Sequence, residues 1–372
     1  MEEAFDVVVA GYLGVDLAPG FPASLSARSL GELLRPGRLV EVEGLGVSLG
    51  GVVANTGLAL KRFGARVRLM ARIGEDPLGG IALDILRRQG LAGGVKRSGS
   101  GVTGYGLVLA PPGADRVFLE CPGTNADFGP DDIDYDVVAN ARMFHFGYPT
   151  LMRRLYDDEG VELERLFRGV RERGVVTSMD TTLPDPGSQA GRADWVRILG
   201  RVLRFVDVFV PSIEEILFML APDEYARLSA MGDGDLVDAI GEELCKSLGD
   251  TLLDMGVKVL LIKAAHRGAY LRTGEVGSLC ETGALGLPVE NWRKRELWIP
   301  AFPVDSERVV NASGAGDASV AGFLRAMLNA EPIEAAGGYA MLAGRDNLYG
   351  SDAISGLPDW EGMTEQLGEL TE

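Results

Sequence analysis

The sequence predicts an α/β fold, a mostly parallel sheet covered by helices on both faces and carrying a small β appendage. Three observations carry this expectation. Short apolar runs rich in β-branched residues alternate with helical patterns along most of the chain. Two segments break that rhythm by alternating apolar and polar residues, as a sheet with one wet face does. Glycine supplies 51 of the 372 residues, about twice its usual share, so tight turns and close backbone approaches recur.

The elements follow in order. Residues 5–10 (FDVVVA) read as a buried strand that stops at Gly11. Residues 38–46 (RLVEVEGLG) are the first alternating segment. Residues 55–63 set Leu58, Leu60 and Phe63 among good helix formers, and Gly64 closes the helix. A strand at 67–73 and the turn GEDPLGG lead into a helix over 81–89. Residues 105–121 form the second alternating segment, two strands joined by Pro111-Pro112-Gly113-Ala114. Further strands are expected at 143–146, 175–179, 206–210 and 259–263, with helices at 161–173, 195–203, 214–219 and 236–255. Residues 274–295 are irregular and glycine-rich, and 318–328 (ASVAGFLRAML) form a last helix.

Acidic residues number 54 against 36 basic ones, giving a net charge of -18. That field opposes a non-specific grip on nucleic acid and docking on anionic lipid. It leaves room for a locally basic pocket that takes an anionic small molecule. Three scattered cysteines (Cys121, Cys245, Cys280) and two histidines argue against a zinc site and against a disulfide framework. The acidic start shows no signal-peptide pattern, and no apolar run approaches the ~18 residues of a membrane span. The expectation is a cytoplasmic protein with neither nucleic-acid nor membrane partners.

The sharpest motif is Asn311-Ala312-Ser313-Gly314-Ala315-Gly316-Asp317 at the start of the last helix. Its glycines bring a ligand close to backbone N–H groups that a helix start leaves unpaired, and the dipole favours an anion there. A carboxylate at Asp317 would repel phosphate if the turn only held it. It fits a base that removes the proton from a hydroxyl attacking a phosphoryl group. The turn alone leaves open a plain helix cap, since Asp is a favoured N-cap.

A second constellation is Gly50-Gly51-Val52-Val53-Ala54-Asn55, followed by Gly64, Gly74, Asp76 and Gly79. Paired glycines before a helix permit close ligand approach, and Asn55 can both donate and accept. Asp16 and Asp180 fall near the carboxyl ends of strands, where ligands of open α/β sheets sit.

With both motifs in view, the chain resembles the PfkB (ribokinase-like) family of sugar and nucleoside kinases. GGVVANTGLALKRFGARVRLMARIGEDPLGG is similar to that family's first signature and NASGAGDASVAGFL to its second, in the family's order. Phe144-His145-Phe146-Gly147-Tyr148, Pro211 after its strand, and Pro300-Ala301-Phe302-Pro303 are intermediate matches. The resemblance implies a doubly wound, mostly parallel sheet flanked by helices, with a small β-strand lid. It implies one kinase domain over residues 1–372, with lid segments near 17–48 and 100–124 that close over the sugar. The implied activity is ATP- and Mg2+-dependent phosphorylation of a hydroxyl, commonly a hydroxymethyl. By position, Asp317 is the base and Gly314, Ala315 and Gly316 the anion hole. Asp16, Gly50, Gly51 and Asn55 hold the acceptor, while Ser212, Lys263 and Gly268 fall on the nucleotide side. Glu215 corresponds to the NxxE glutamate, linked to magnesium through water. Similar kinases form lid-to-lid dimers, which makes a homodimer an expectation.

The chain also departs from the pattern. Ser212 stands where NxxE has Asn, and Lys263 and Ala265 interrupt a TxGxxG segment. Asn311 replaces an Asp associated with a monovalent cation, which argues against potassium activation. Val52 and Gly14 replace a Lys and an Asn that ribokinases place near the sugar, which argues against ribose. These changes keep two alternatives open, a nucleoside kinase and a non-catalytic sugar- or nucleotide-binding regulator. Weaker signals fall away. The GxGxxG at residues 99–104 precedes a strand rather than opening a helix, and no GxxxxGK[ST] is present. His145 reads as a satisfied core histidine. His266 and Arg116 are candidates for contacting the nucleotide and an anionic substrate respectively.

Overall fold

The computed structural model describes residues 4–25, 30–113, 117–230, 236–277, 279 and 285–371. The apolar run at the start becomes β1 (Phe5–Gly11), buried along its whole length. Its β-branched residues cannot face water on either side, so it lies inside a nine-stranded sheet, between β8 and β4. The other members are β4 (Val67–Gly74), β5 (Val95–Ser98), β8 (Ala141–Gly147), β9 (Val176–Asp180), β10 (Val208–Phe209), β11 (Val259–Lys263), β12 (Ala269–Thr273) and β13 (Glu296–Ile299). The order is β13-β12-β11-β10-β9-β8-β1-β4-β5, parallel except that β12 runs antiparallel to both β11 and β13. The chain winds outward from β1 in one direction through β4 and in the other through β8. The switch of direction beside β1 opens a crevice at the strands' carboxyl ends, the usual ligand position in such sheets.

A separate four-stranded sheet, order β3-β2-β6-β7, forms the lid from β2 (Gly14–Pro19), β3 (Leu45–Gly50), β6 (Gly104–Leu109) and β7 (Val117–Cys121). Pairing begins at Gly14↔Gly50, so the strands reach beyond 17–48 at both ends and carry Asp16 and Gly50 within them. The strand expected over 38–46 is corrected: residues 38–44 have no regular structure. The six-residue β2 is paired by 45–50 and ends at Pro19, and beyond it only Gly20 bonds back to Glu43 and Gly44.

The main helices are α1 (Val52–Arg62), α2 (Pro77–Arg88), α3 (Val161–Arg171), α4 (Trp195–Val202), α5 (Ile213–Leu220), α6 (Glu242–Asp254), α7 (Ala315–Leu328), α8 (Ile333–Asn347) and α9 (Trp360–Thr371). Helix α2 starts earlier than its apolar pattern because Asp76 caps it, accepting from the Gly79 amide at 2.8 Å, with Pro77 in the first turn. The helix expected over 236–255 is two, Leu236–Ala239 and α6, parted at Gly241. The irregular segment 274–295 includes a short helix, Val289–Trp292. Cys121 and Cys245 are free thiols. Ala114, Asp115, Arg116 and Cys280 lie outside the described residues. Among the described residues no helix is long and apolar enough to cross a membrane.

Candidate active site

Five parallel strands deliver the site. Gly11 ends β1, Tyr148 follows β8, Asp180 ends β9, Pro211 and Ser212 follow β10, and Lys263 ends β11. Opposite them, Gly314 takes the left-handed conformation (φ 82) as the N-cap of α7. Ala315, Gly316 and Asp317 therefore form the helix's first turn, whose amides have no intrahelical acceptor.

Asp317 is not a cap. Its carboxylate is 3% exposed and turns away from its own helix. It accepts from Asn55 Nδ2 at 2.9 Å, from the Tyr148 hydroxyl at 2.8 Å and from Thr56 Oγ1 at 3.3 Å. Asn55 and Thr56 come from α1, whose N-cap Gly51 (φ 85) turns the chain against the backbone of Tyr12. The two glycine motifs thus meet across the crevice. Burial raises the Asp317 pKa above the usual carboxylate value, while its donors and Lys263 oppose the rise. A carboxylate poised this way is a stronger base than one in water.

Asp16 lies on the lid, and Gly50 beside it has no side chain because a Cβ there would run into the Asp16 carboxylate. Burial, then the charge of Asp317, push Asp16 up to about 6. The strand that pairs with β2 runs through Gly50 into the helix whose Asn55 bonds Asp317, which sets Asp16 on that side of the crevice. The Tyr12 ring centroid is 6.5 Å from that of Tyr148, the donor to Asp317. Tyr12 donates its hydroxyl to Glu120, a lid carboxylate that burial raises to about 7.

On the other flank, Lys263 is no solvated strand end. Its side chain is 11% exposed, and Nζ meets both oxygens of Asp180 at 2.9 and 3.1 Å. It also donates to the Val210 carbonyl. A Cβ on Gly316 would sit 3.7 Å from Lys263 Cε, so the lysine stem lies against the turn of Gly314, Ala315 and Gly316. Burial works against the ammonium, but Asp180 and Glu215 outweigh it and lift its pKa. Burial likewise raises Asp180 despite the lysine. Ser212 and Lys263 are bridged as neighbouring backbone.

Ser212 caps α5 in a reciprocal box. Its Oγ accepts from the Glu215 amide at 3.3 Å, and Glu215 Oε2 accepts from the Ser212 amide at 3.0 Å. Thr181 Oγ1 donates to the same Oε2 at 2.7 Å. Glu215 is thereby fixed beside Asp180, with Oε1 outside these bonds. Among the described residues no group of three or more His, Cys, Asp or Glu forms a metal cage. A single oriented carboxylate suits magnesium, which keeps most of its waters and takes the rest of its ligands from phosphates.

The remaining candidates are placed as follows. Gly268 (φ 101) closes the tight β11–β12 connection, where a Cβ would strike backbone at Ile299 and Ala301. His266 meets Asp238 at 2.7 Å on the surface. His145 is buried, and its Nδ1 lies 2.9 Å from Ser178 Oγ. Its Nε2 has no hydrogen-bond partner among the described residues, so this core histidine is only half satisfied. Burial lowers its pKa to about 3, which keeps it neutral. Sequence reasoning passed over Tyr148, Thr56, Tyr12 and Glu120. The available signal was the aromatic at the end of FHFGY and the lone acid in the alternating VFLEC.

A buried carboxylate, a helix turn with open amides and a lid sheet are parts of a phosphotransferase that uses an alcohol as acceptor. The chain is a member of the pfkB family carbohydrate kinases, whose model matches residues 23–359. A sugar kinase of Archaeoglobus fulgidus, described as uncharacterized, is 22% identical over 81% of this chain and 98% of its own length. An ATP-dependent ribose-1-phosphate kinase of Halopiger xanaduensis is 26% identical over 84% of this chain and 86% of its own. The ribokinase of Arabidopsis thaliana complexed with ribose and ATP superposes with a TM-score of 0.71 at 18% identity, covering 98% of this chain and 99% of that one. That likeness is one of fold.

Proposed function

We propose that this chain transfers the terminal phosphoryl group of ATP to a hydroxyl, of hydroxymethyl type, on a small sugar. The observation that supports this best is the Asp317 carboxylate, buried, held by three donors and set in the same helix turn as the open amides. As the acceptor oxygen bonds to the phosphorus, Asp317 takes its proton and ADP leaves with the electrons of the broken P–O bond. The amides of Gly314, Ala315 and Gly316 face the negative charge of the transferring group. Lys263 adds a fixed positive charge beside that turn, anchored by Asp180. Magnesium, when bound, would screen the phosphate charges, with Glu215 as its protein-side carboxylate through water.

Asp16, Asn55 and the backbone at Gly50 and Gly51 hold the acceptor, and the lid closes over it to exclude water. The whole chain works as one domain with the lid inserted in it. Asn311 uses its side-chain oxygen to accept from the Ser313 amide at 2.9 Å, closing its own turn. Its neutral amide gives a monovalent cation no charge, so the rate is expected to be the same in sodium and potassium.

The test is ADP release from Mg-ATP across a panel of sugars and nucleosides. Release that requires one of the sugars supports the proposal. Specific binding of a sugar or nucleotide with no ADP formed by any acceptor would favour a non-catalytic regulator instead.

A further inference from the structure

In the lid, Asp16 on β2 lies opposite Gly106 on β6, and Gly106 lies opposite Glu120 on β7. Residues directly opposite one another share a face of the sheet, so the two carboxylates flank a residue without a side chain. An atom at the Cβ position of Gly106 would be 3.0 Å from Asp16 Oδ1 and 2.8 Å from Glu120 Oε2. Both acids therefore lean into one gap. Tyr12 holds the other oxygen of Glu120, which leaves Oε2 turned to that gap. Among the described residues no lysine or arginine pairs with either acid, and no donor reaches Asp16. Contacts link the pair to the carboxylate already described: Tyr12 bonds Glu120, its ring lies 6.5 Å from that of Tyr148, and Tyr148 bonds Asp317.

We infer that Glu120, acting with Asp16, is a substrate-selecting residue. When ionised, the two form an acceptor-only wall for the part of the sugar beyond its reacting hydroxyl. That wall admits a substrate presenting hydroxyl or ammonium donors and refuses one bearing a carboxylate or phosphate. The inference rests on the kinase reading for the position of the reacting hydroxyl. Two carboxylates held this close without a cation repel one another, and a ligand that brings donor protons to them relieves that repulsion. At pH 8, where both are ionised, a like charge brought against them is repelled. Ammonium and vicinal hydroxyls both satisfy the wall, and the substrates below separate them.

The experiment uses the full chain with Mg-ATP and four probes: D-fructose, D-glucosamine, 2-dehydro-3-deoxygluconate and ribose 1-phosphate. Both ADP release and thermal shift are read. The wild type should favour fructose or glucosamine over each anionic sugar by at least about 100-fold in kcat/KM. A lead for glucosamine identifies the ammonium, and a lead for fructose the hydroxyl pair. Glu120→Gln, isosteric and checked for folding by its melting transition, should shrink that ratio at least tenfold, and Glu120→Arg should shrink it further. An anionic sugar used as well as the neutral ones by the wild type overturns the inference. An unchanged ratio in a folded Glu120→Gln does the same. If no sugar releases ADP but binding still ranks neutral above anionic, the kinase reading fails and this one stands.

Discussion

The Tyr148 hydroxyl donates to Asp317 Oδ2 at 2.8 Å, joining the end of β8 to the first turn of α7. Tyr148 sits at positive φ (66) to make this reach, an uncommon conformation for an aromatic residue. Its hydrogen bond lowers the pKa of a carboxylate that burial raises. Tyr148→Phe removes that opposition, so the base should hold its proton to higher pH. The expected outcome is an acid limb of the kcat–pH profile moved upward, with acceptor KM little changed. An unmoved limb would show that the contact does not tune the base.

The ion pair of Lys263 and Asp180 makes a second prediction. Both side chains are almost excluded from solvent, at 11% and 3% exposed. Lys263→Met leaves Asp180 unpaired and should cost about 3–5 kcal/mol of stability. Adding Asp180→Asn removes the orphaned charge and should recover a large part of that loss. Denaturant unfolding of the two single variants and the double variant measures it.

Stability should depend on pH through the lid acids. Asp16 rises from 3.8 to about 6 and Glu120 from 4.5 to about 7 in the folded chain. Between those ordinary and raised values the folded state binds protons that the unfolded state releases. These groups therefore make stability fall as pH rises through that window. Glu120→Gln should raise the melting temperature of the unliganded protein at pH 8 and do little or the reverse at pH 5. Equal shifts at both values would contradict the assignment.

Glu215 is fixed by the Ser212 cap and by Thr181. Ser212→Ala should lower stability by about 1 kcal/mol through the lost cap. Glu215→Gln should raise the magnesium concentration for half-maximal rate by about 10–100-fold, as loss of a carboxylate near a metal does. A rate titration with magnesium chloride checks the second claim.

Much of this was legible in the sequence because local chemistry specifies it. The Gly314-Ala315-Gly316-Asp317 turn and the Gly50-Gly51 turn are glycine patterns, and the apolar runs of β1, β4 and β11 are period signals. Helices α8 and α9 were not legible. The α8 segment IEAAGGYAMLAGRDN contains glycines that weaken helix propensity. Tertiary packing overrides them: Gly322 of α7 sits against the Tyr339 carbonyl, and Gly337 against the Ile299 side chain. The Asp180–Lys263 pair joins residues 83 positions apart, and Tyr12–Glu120 joins residues 108 apart. No periodicity reports such contacts. The lid's first strand was missed because GVDLAP is too short and too mixed to stand out.

The most direct test of the account is Asp317→Asn, isosteric and able to keep a hydrogen bond to its neighbours. With the acceptor that the wild type uses, ADP release should fall at least about 100-fold. The melting temperature and the thermal shifts given by sugar and nucleotide should persist. Turnover near the wild-type rate in a folded Asp317→Asn protein would contradict the role given to this carboxylate.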